Sequence, residues 1–213
     1  MNFNSFLKSV PKIANLPLPG EEYHYKMAPL SRLRELREEG IKNKNPKKAA
    51  VLMLFYPDEE QRTKFVLILR KTYKGVHSNQ VGFPGGKVEN GDLDYQMTAL
   101  RETHEEVGIR PDDINIIRPI TEVYIPPSNF LVFPYLGTLA MTPEFIPQET
   151  EVEGIIEVPL ADFLDDSALS KEKLDTSYAR ALEVPAFKLN GHTVWGATAM
   201  MLNEVKALLN KSV

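Results

Sequence analysis

The chain has 213 residues, 43% of them apolar and 25% charged, with a formal net charge of −4. That length supports one full hydrophobic core. The acidic balance gives no footing for bulk nucleic-acid binding. The absence of cysteine excludes disulfides, cysteine-ligated zinc and thiol catalysis.

No N-terminal run is long enough for a secretory apolar region. No stretch reaches the roughly 18 apolar residues of a membrane span. The expectation is a cytoplasmic protein without a membrane or nucleic-acid partner. Residues 1–46 read as an N-terminal extension. It opens with a short helix ended near Pro11, continues through the irregular "NLPLPGEEYHYKMAP", and adds a polar helix closed by Gly40 and a basic loop, "NKNPKK".

Residues 47–213 read as the main domain. "AAVLMLFY" (49–56) is a continuous apolar run, predicted as a strand buried on both faces. "KFVLIL" (64–69) follows as its hairpin partner. A basic loop, "RKTYKGVHSNQ", leads to a short extended piece at 81–83, broken by Pro84-Gly85-Gly86. The pattern predicts a helix over 93–107 stopped by Gly108. Further strands are predicted at 114–125, 130–140 and 152–160, with a short helix at "LADFLDD". An Asn-Gly turn joins a hairpin over 184–196, and an amphipathic helix over 197–210 closes the chain. Strands and helices do not alternate regularly, so the class is α/β with a mixed sheet and helices packed on it.

The central helix carries Glu102, Glu105 and Glu106 near its C-terminus. A helical wheel sets Leu93, Met97, Leu100 and Val107 on the core side and the glutamates opposite. Glu102 and Glu106 are i,i+4 neighbours, so their carboxylates can converge. Like charges at that spacing repel, and negative charge at a helix C-terminus opposes the helix dipole. A divalent cation would offset this, because Mg²⁺ prefers oxygen donors shared between carboxylates and a substrate phosphate. The glycines at 85 and 86 would let backbone approach such a ligand. His104 lies beside the cluster and is expected to pack sideways.

The run Gly86, Asp92, Arg101-Glu102-Thr103-His104-Glu105-Glu106-Val107-Gly108-Ile109 resembles the Nudix box, G-x5-E-x7-R-E-U-x-E-E-x-G-U. It departs in three places: Asp92 for the first glutamate, one extra residue before Arg101, and Thr103 for an aliphatic residue. The first two departures, with "Arg70 … Phe83-Pro84-Gly85-Gly86" upstream, are similar to the coenzyme A diphosphatase branch. That upstream signature fails at Lys71, Gly75 and Asn79. "HSNQVGFPGGK" and "WGATA" (195–199) are similar to stretches of many bacterial members.

The resemblance implies an α/β/α sandwich around a mixed sheet, and Mg²⁺ or Mn²⁺ as cofactor. It implies metal ligands at Glu102, Glu105, Glu106 and the Gly86 carbonyl. Arg101 would orient the glutamates, with Asp92 as its acidic partner. Catalytic candidates are Glu105, Glu102, Arg101 and Glu151, with the water-activating base open among the carboxylates. Arg70, Lys71, Lys74 and His77 are candidates for gripping the phosphates of a small nucleotide substrate. Tyr124, Phe130 and Trp195 could stack on adenine, with core packing the expected role of Trp195. The implied reaction is hydrolysis of the diphosphate of coenzyme A or a derivative, giving 3′,5′-ADP and 4′-phosphopantetheine. Another nucleoside diphosphate derivative such as ADP-ribose, and a non-catalytic sensor, stand as alternatives. Cover for the site and a homodimer contact are both open for residues 1–46.

Overall fold

The computed structural model describes residues 1–29, 45–71, 80–174 and 182–212. In chain order the described elements are α1 (Phe3–Asn15), α2 (Glu21–Tyr25), β1 (Lys47–Pro57), β2 (Thr63–Arg70), β3 (Val81–Gly82), β4 (Gly85–Lys87) and α3 (Tyr95–Val107). Then come β5 (Ile114–Pro119), β6 (Val123–Ile125), β7 (Phe130–Leu139), β8 (Val152–Pro159), α4 (Leu160–Leu164), β9 (Leu169–Leu174), β10 (Leu182–Leu189), β11 (His192–Trp195) and α5 (Gly196–Leu209).

The apolar run of β1 forms the middle of a mixed eight-stranded sheet. It lies parallel to β7 and antiparallel to β2 and β4. The strand order is β3-β2-β1-β7-β5, with β8 on β2 and β6 on β7. Alternate residues of a strand face opposite sides, and both sides of β1 are covered. Val51, Met53 and Phe55 join a core with Phe3, Phe6 and Ile13 of α1 and Leu202, Val205 and Leu209 of α5. Ala50, Leu52, Leu54 and Tyr56 join a second core with Ala99 and Val107 of α3. The result is an α/β/α sandwich. Three antiparallel strands, β11-β10-β9, form a second sheet, with the Asn190-Gly191 turn between β10 and β11.

Several local expectations are corrected. Helix α1 runs through Pro11. A proline removes one hydrogen bond, but Ile13 beyond it is fully buried, and the Arg118 guanidinium donates to the carbonyls of Ile13 and Leu16 at 3.2 and 2.6 Å. Residues 21–25, read as irregular, form α2, and Lys47 and Lys48 open β1 instead of closing a loop. The single strand expected over 114–125 divides into β5 and β6, both paired with β7. Strand β9 was not expected, because LSKEKL is exposed and polar. The polar helix expected over 30–41 lies outside the described residues. Among the described residues, no helix is long and apolar enough to cross a membrane.

Candidate active site

Helix α3 begins where Asp94, in extended conformation, accepts from the Met97 N–H at 2.7 Å. Leu93 therefore precedes the helix and is 90% exposed, and Met97 is exposed too. Of the stripe expected to face the core, Leu100 and Val107 do meet it, and Leu93 and Met97 do not. The buried side is Thr98, Ala99, Thr103, Glu106 and Val107. Thr98, Ala99 and Thr103 are small and let the helix lie close to β1. Thr103, standing where an aliphatic residue was expected, is fully buried and donates its hydroxyl to the Ala99 carbonyl at 2.7 Å. His104 is exposed, not packed.

The rotation of the helix brings Glu106 inward, to 2% exposure. Its Oε2 accepts from the Gly85 N–H at 2.7 Å, and its Oε1 lies 3.7 Å from Arg70 Nη1. Arg70 Nη2 also donates to the Gly85 carbonyl at 2.7 Å. Arg70 thus belongs to the glutamate cluster. Burial pushes the Glu106 carboxyl up to about 7, with Glu102 and Glu151 adding to it and Arg70 and the Gly85 N–H opposing. Burial also raises Glu102, against the pull of Arg101.

Arg101 is the hub of the other glutamates. Its Nε and Nη2 hold Asp92 in a two-point grip, both at 3.0 Å. Its Nη1 reaches Glu102 at 2.9 Å and Glu105 at 3.0 Å, and Nη2 also donates to the Lys87 carbonyl. A planar guanidinium suits this fork geometry. Asp92 further accepts from the Glu89 N–H and the Thr98 hydroxyl. Arg101 holds the Asp92 carboxyl well below the usual carboxylate range.

Two glycines allow this closeness. Gly85 has φ 147°, and a Cβ there would strike the Ala50 carbonyl and the Val51 backbone. A Cβ on Gly86 would press into the Glu102 carboxylate. The loop before β8 completes the wall. The N–H groups of Ile146 and Gln148 bond the carbonyls of Val107 and Glu106, so the C-terminus of α3 is satisfied by backbone. The same loop delivers Glu151, whose carbonyl accepts from the Lys71 N–H at 2.9 Å.

The structure therefore gathers Arg70, Gly86, Asp92, Arg101, Glu102, Glu105, Glu106 and Glu151. Lys74 and His77 lie outside the described residues. Among the described residues, no three His, Asp or Glu side chains converge as a closed metal-ligand set. The donor chemistry nonetheless fits a hard divalent cation. Four carboxylates face two guanidinium groups, Glu151 is close enough to act on Glu106 electrostatically, and the Glu102 side chain lies against the Gly86 backbone.

Beside Gly85 and Gly86 opens a pocket of about 300 Å³, lined in part by the three aromatics expected to be open to stacking, Tyr124, Phe130 and Trp195. Its walls include Pro126, Pro127, Tyr124, Phe130, Trp195 and Met201. Trp195 is half-buried at this wall and not enclosed in the core. The run "WGATAMM" at 195–201 is the sequence signal that could have marked it, because it places an aromatic residue and two methionines at a helix start.

This fold and this carboxylate-bearing helix define a NUDIX domain: residues 46–179 match that family, and the chain belongs to it. Members of the family generally use divalent metal ions. The chain is 30% identical over 174 residues to the peroxisomal coenzyme A diphosphatase ndx-8 of Caenorhabditis elegans, covering 81% of this chain and 73% of that protein. It is 31% identical to the mitochondrial coenzyme A diphosphatase NUDT8 of Homo sapiens, over 63% of this chain and 58% of that protein. The chain thus spans little more than half the length of some curated relatives it matches. In structure it is similar to RenU, a Nudix hydrolase from M. smegmatis. The TM-score is 0.53 at 14% identity, covering 78% of this chain and 87% of that one.

Proposed function

We propose that the protein hydrolyses the diphosphate bond of coenzyme A or its derivatives, with Mg²⁺ or Mn²⁺ bound at Glu102, Glu105 and Glu106. The observation that carries this is the buried Glu106, joined to the Gly85 N–H and to Arg70 at the edge of a pocket large enough for one arm of the substrate. The two relatives named as coenzyme A diphosphatases support the choice of substrate.

A bound divalent cation supplies neutralisation of the charge that develops on the phosphoryl oxygens. The chain's own residues do the rest. Arg101 holds Glu102 and Glu105 side by side. Arg70 fixes the Gly85 carbonyl and places positive charge where a phosphate would meet Glu106. A water oxygen bonds to one phosphorus, its proton passes to a carboxylate, and the bond from that phosphorus to the bridging oxygen breaks. Glu105, half-exposed, and Glu151, exposed on its loop, are the carboxylates open to water for that proton. The products are 3′,5′-ADP and 4′-phosphopantetheine.

The test is product analysis after incubation with Mg²⁺ or Mn²⁺ and a panel of coenzyme A, ADP-ribose, NADH and a nucleoside triphosphate. The two named products are expected. Turnover of ADP-ribose with coenzyme A untouched would overturn the substrate, and no turnover at all would favour a sensor.

A further inference from the structure

Coenzyme A has two unlike arms on its diphosphate. One is an adenosine with a 3′-phosphate dianion. The other, pantetheine, is uncharged, starts with two methyl groups on one carbon and continues through two amides. The lining of the pocket beside Gly85 and Gly86 bears on which arm it suits. Its lining is mainly apolar: Tyr124, Pro126, Pro127, Phe130 and Met201 recur around it. Among the described lining residues, the charged ones are Arg70 and Lys87. Both belong to the diphosphate end. Arg70 is bonded to Gly85, and Lys87 follows Gly86 in β4.

Past that end, none of the described lining residues offers a cation to pair with a desolvated phosphate dianion. The prolines at 126 and 127 have no N–H to offer the polar edge of adenine. The Thr198 hydroxyl is already bonded to the Val81 carbonyl at 3.0 Å. The dimethyl carbon of pantetheine meets no such penalty, its neutral amides cost far less to bury than a dianion, and flexible methionines suit its irregular shape.

The walls are also held in place. Glu204 of α5 is fully buried, accepts from the Gly20 N–H at 3.1 Å, pairs with His24 of α2 at 2.8 Å, and accepts from the Thr121 hydroxyl. The three segments tied there lead directly to pocket residues Pro29, Tyr124 and Met201. A preformed pocket avoids ordering cost on binding.

We propose that this pocket holds the pantetheine arm, so that the adenosine 3′-phosphate arm leaves the diphosphate on the outer side. This rests on the coenzyme A reading above. The test uses the full chain and two fragments, 4′-phosphopantetheine and 3′,5′-ADP, measured as competitive inhibitors and by titration calorimetry. Ala197→Leu and Met201→Phe narrow the pocket from its α5 wall, and their melting temperatures report folding. Each is expected to weaken 4′-phosphopantetheine at least tenfold and leave 3′,5′-ADP within about twofold. Selective loss of 3′,5′-ADP would overturn the proposal. So would unchanged binding of both fragments by folded variants. A wild-type protein that binds neither fragment and leaves coenzyme A intact would refute the functional reading itself.

Discussion

Replacing Glu106 by glutamine separates the stability of the site from its chemistry. Glu106 is 2% exposed, and burial raises its carboxyl from 4.5 to about 7. A raised acid favours the neutral form in the fold. Wild-type stability is therefore expected to fall as pH rises from about 4.5 to about 7, and the penalty persists above 7. At about 1.4 kcal/mol per pH unit, the full ionisation penalty is of order 3 kcal/mol. Glutamine has nearly the same shape and keeps an oxygen for the Gly85 N–H, but it loses the attraction of Arg70. In chelator-containing buffer at pH 8, Glu106→Gln is expected to be more stable than wild type by about 1–3 kcal/mol. That corresponds to a melting temperature higher by roughly 2–10 °C in a chain of this size. At pH 4.5 the two proteins should melt together. Added Mg²⁺ should raise the wild type by mass action and leave the variant nearly unchanged, while its turnover falls at least a hundredfold. Urea and thermal melts at both pH values, with and without metal, provide the readout. A variant less stable than wild type at pH 8, or a difference independent of pH, would refute the reasoning.

Gly86→Ala sets a methyl against the far end of a flexible carboxylate. It should displace Glu102 and lower kcat at least tenfold while shifting the melting temperature by under about 4 °C; unaltered kcat would remove Gly86 from the site. Arg101→Ala strips the partner from Asp92, whose side chain is 2% exposed. It should cost about 3 kcal/mol in urea unfolding at pH 7, and Arg101→Lys should not restore activity, because an ammonium cannot span Asp92, Glu102 and Glu105. The bonds from His24 and Thr121 outweigh burial and lower the Glu204 carboxyl. Its ionised form stabilises the fold above the unfolded pKa, and that contribution is lost as pH falls below about 4.5. Glu204→Gln should then cost about 1–3 kcal/mol at pH 7, with the gap closing in acid melts.

Much of the sheet was legible because β1 is apolar over nine consecutive buried residues, a pattern that only a strand covered on both sides explains. The glutamate cluster was legible from spacing, since i,i+4 carboxylates must share a face. The face itself was misread in part. Asp94 caps α3, so Leu93 falls outside the helix; Leu100 and Val107 do meet the core, but the residues beside them there, Thr98, Ala99, Thr103 and Glu106, are small or polar. Ala99 and Thr103 carry little weight in a hydrophobic pattern, yet they set how closely α3 approaches β1. The three aromatics of the pocket were named together, but its shape and the rest of its lining were not legible, because Tyr124, Phe130 and Trp195 come from three separate strands and meet through the β1–β7 pairing and the start of α5. Nothing local to any one of them signals a cavity. Arg70 was singled out for a remote phosphate, whereas its register on β2, opposite Val152, brings it to Gly85 and Glu106.

The charge arrangement of α3 explains why so many acids can sit at a helix C-terminus. Backbone donors from Ile146 and Gln148 already satisfy the Val107 and Glu106 carbonyls, which blunts the helix dipole before any side chain is considered. Arg101 then spreads one guanidinium over Asp92, Glu102 and Glu105, so those three repel less than their spacing suggests. What remains is the desolvation of Glu106, and among the described residues Arg70 and the Gly85 N–H stand against it. A fold selected for stability alone would place a neutral group there. The residual strain falls on the one carboxylate that touches both the glycine turn and Arg70, where positive charge gains most and where the pocket opens. Destabilisation confined to such a residue is what the role proposed for Glu106 requires.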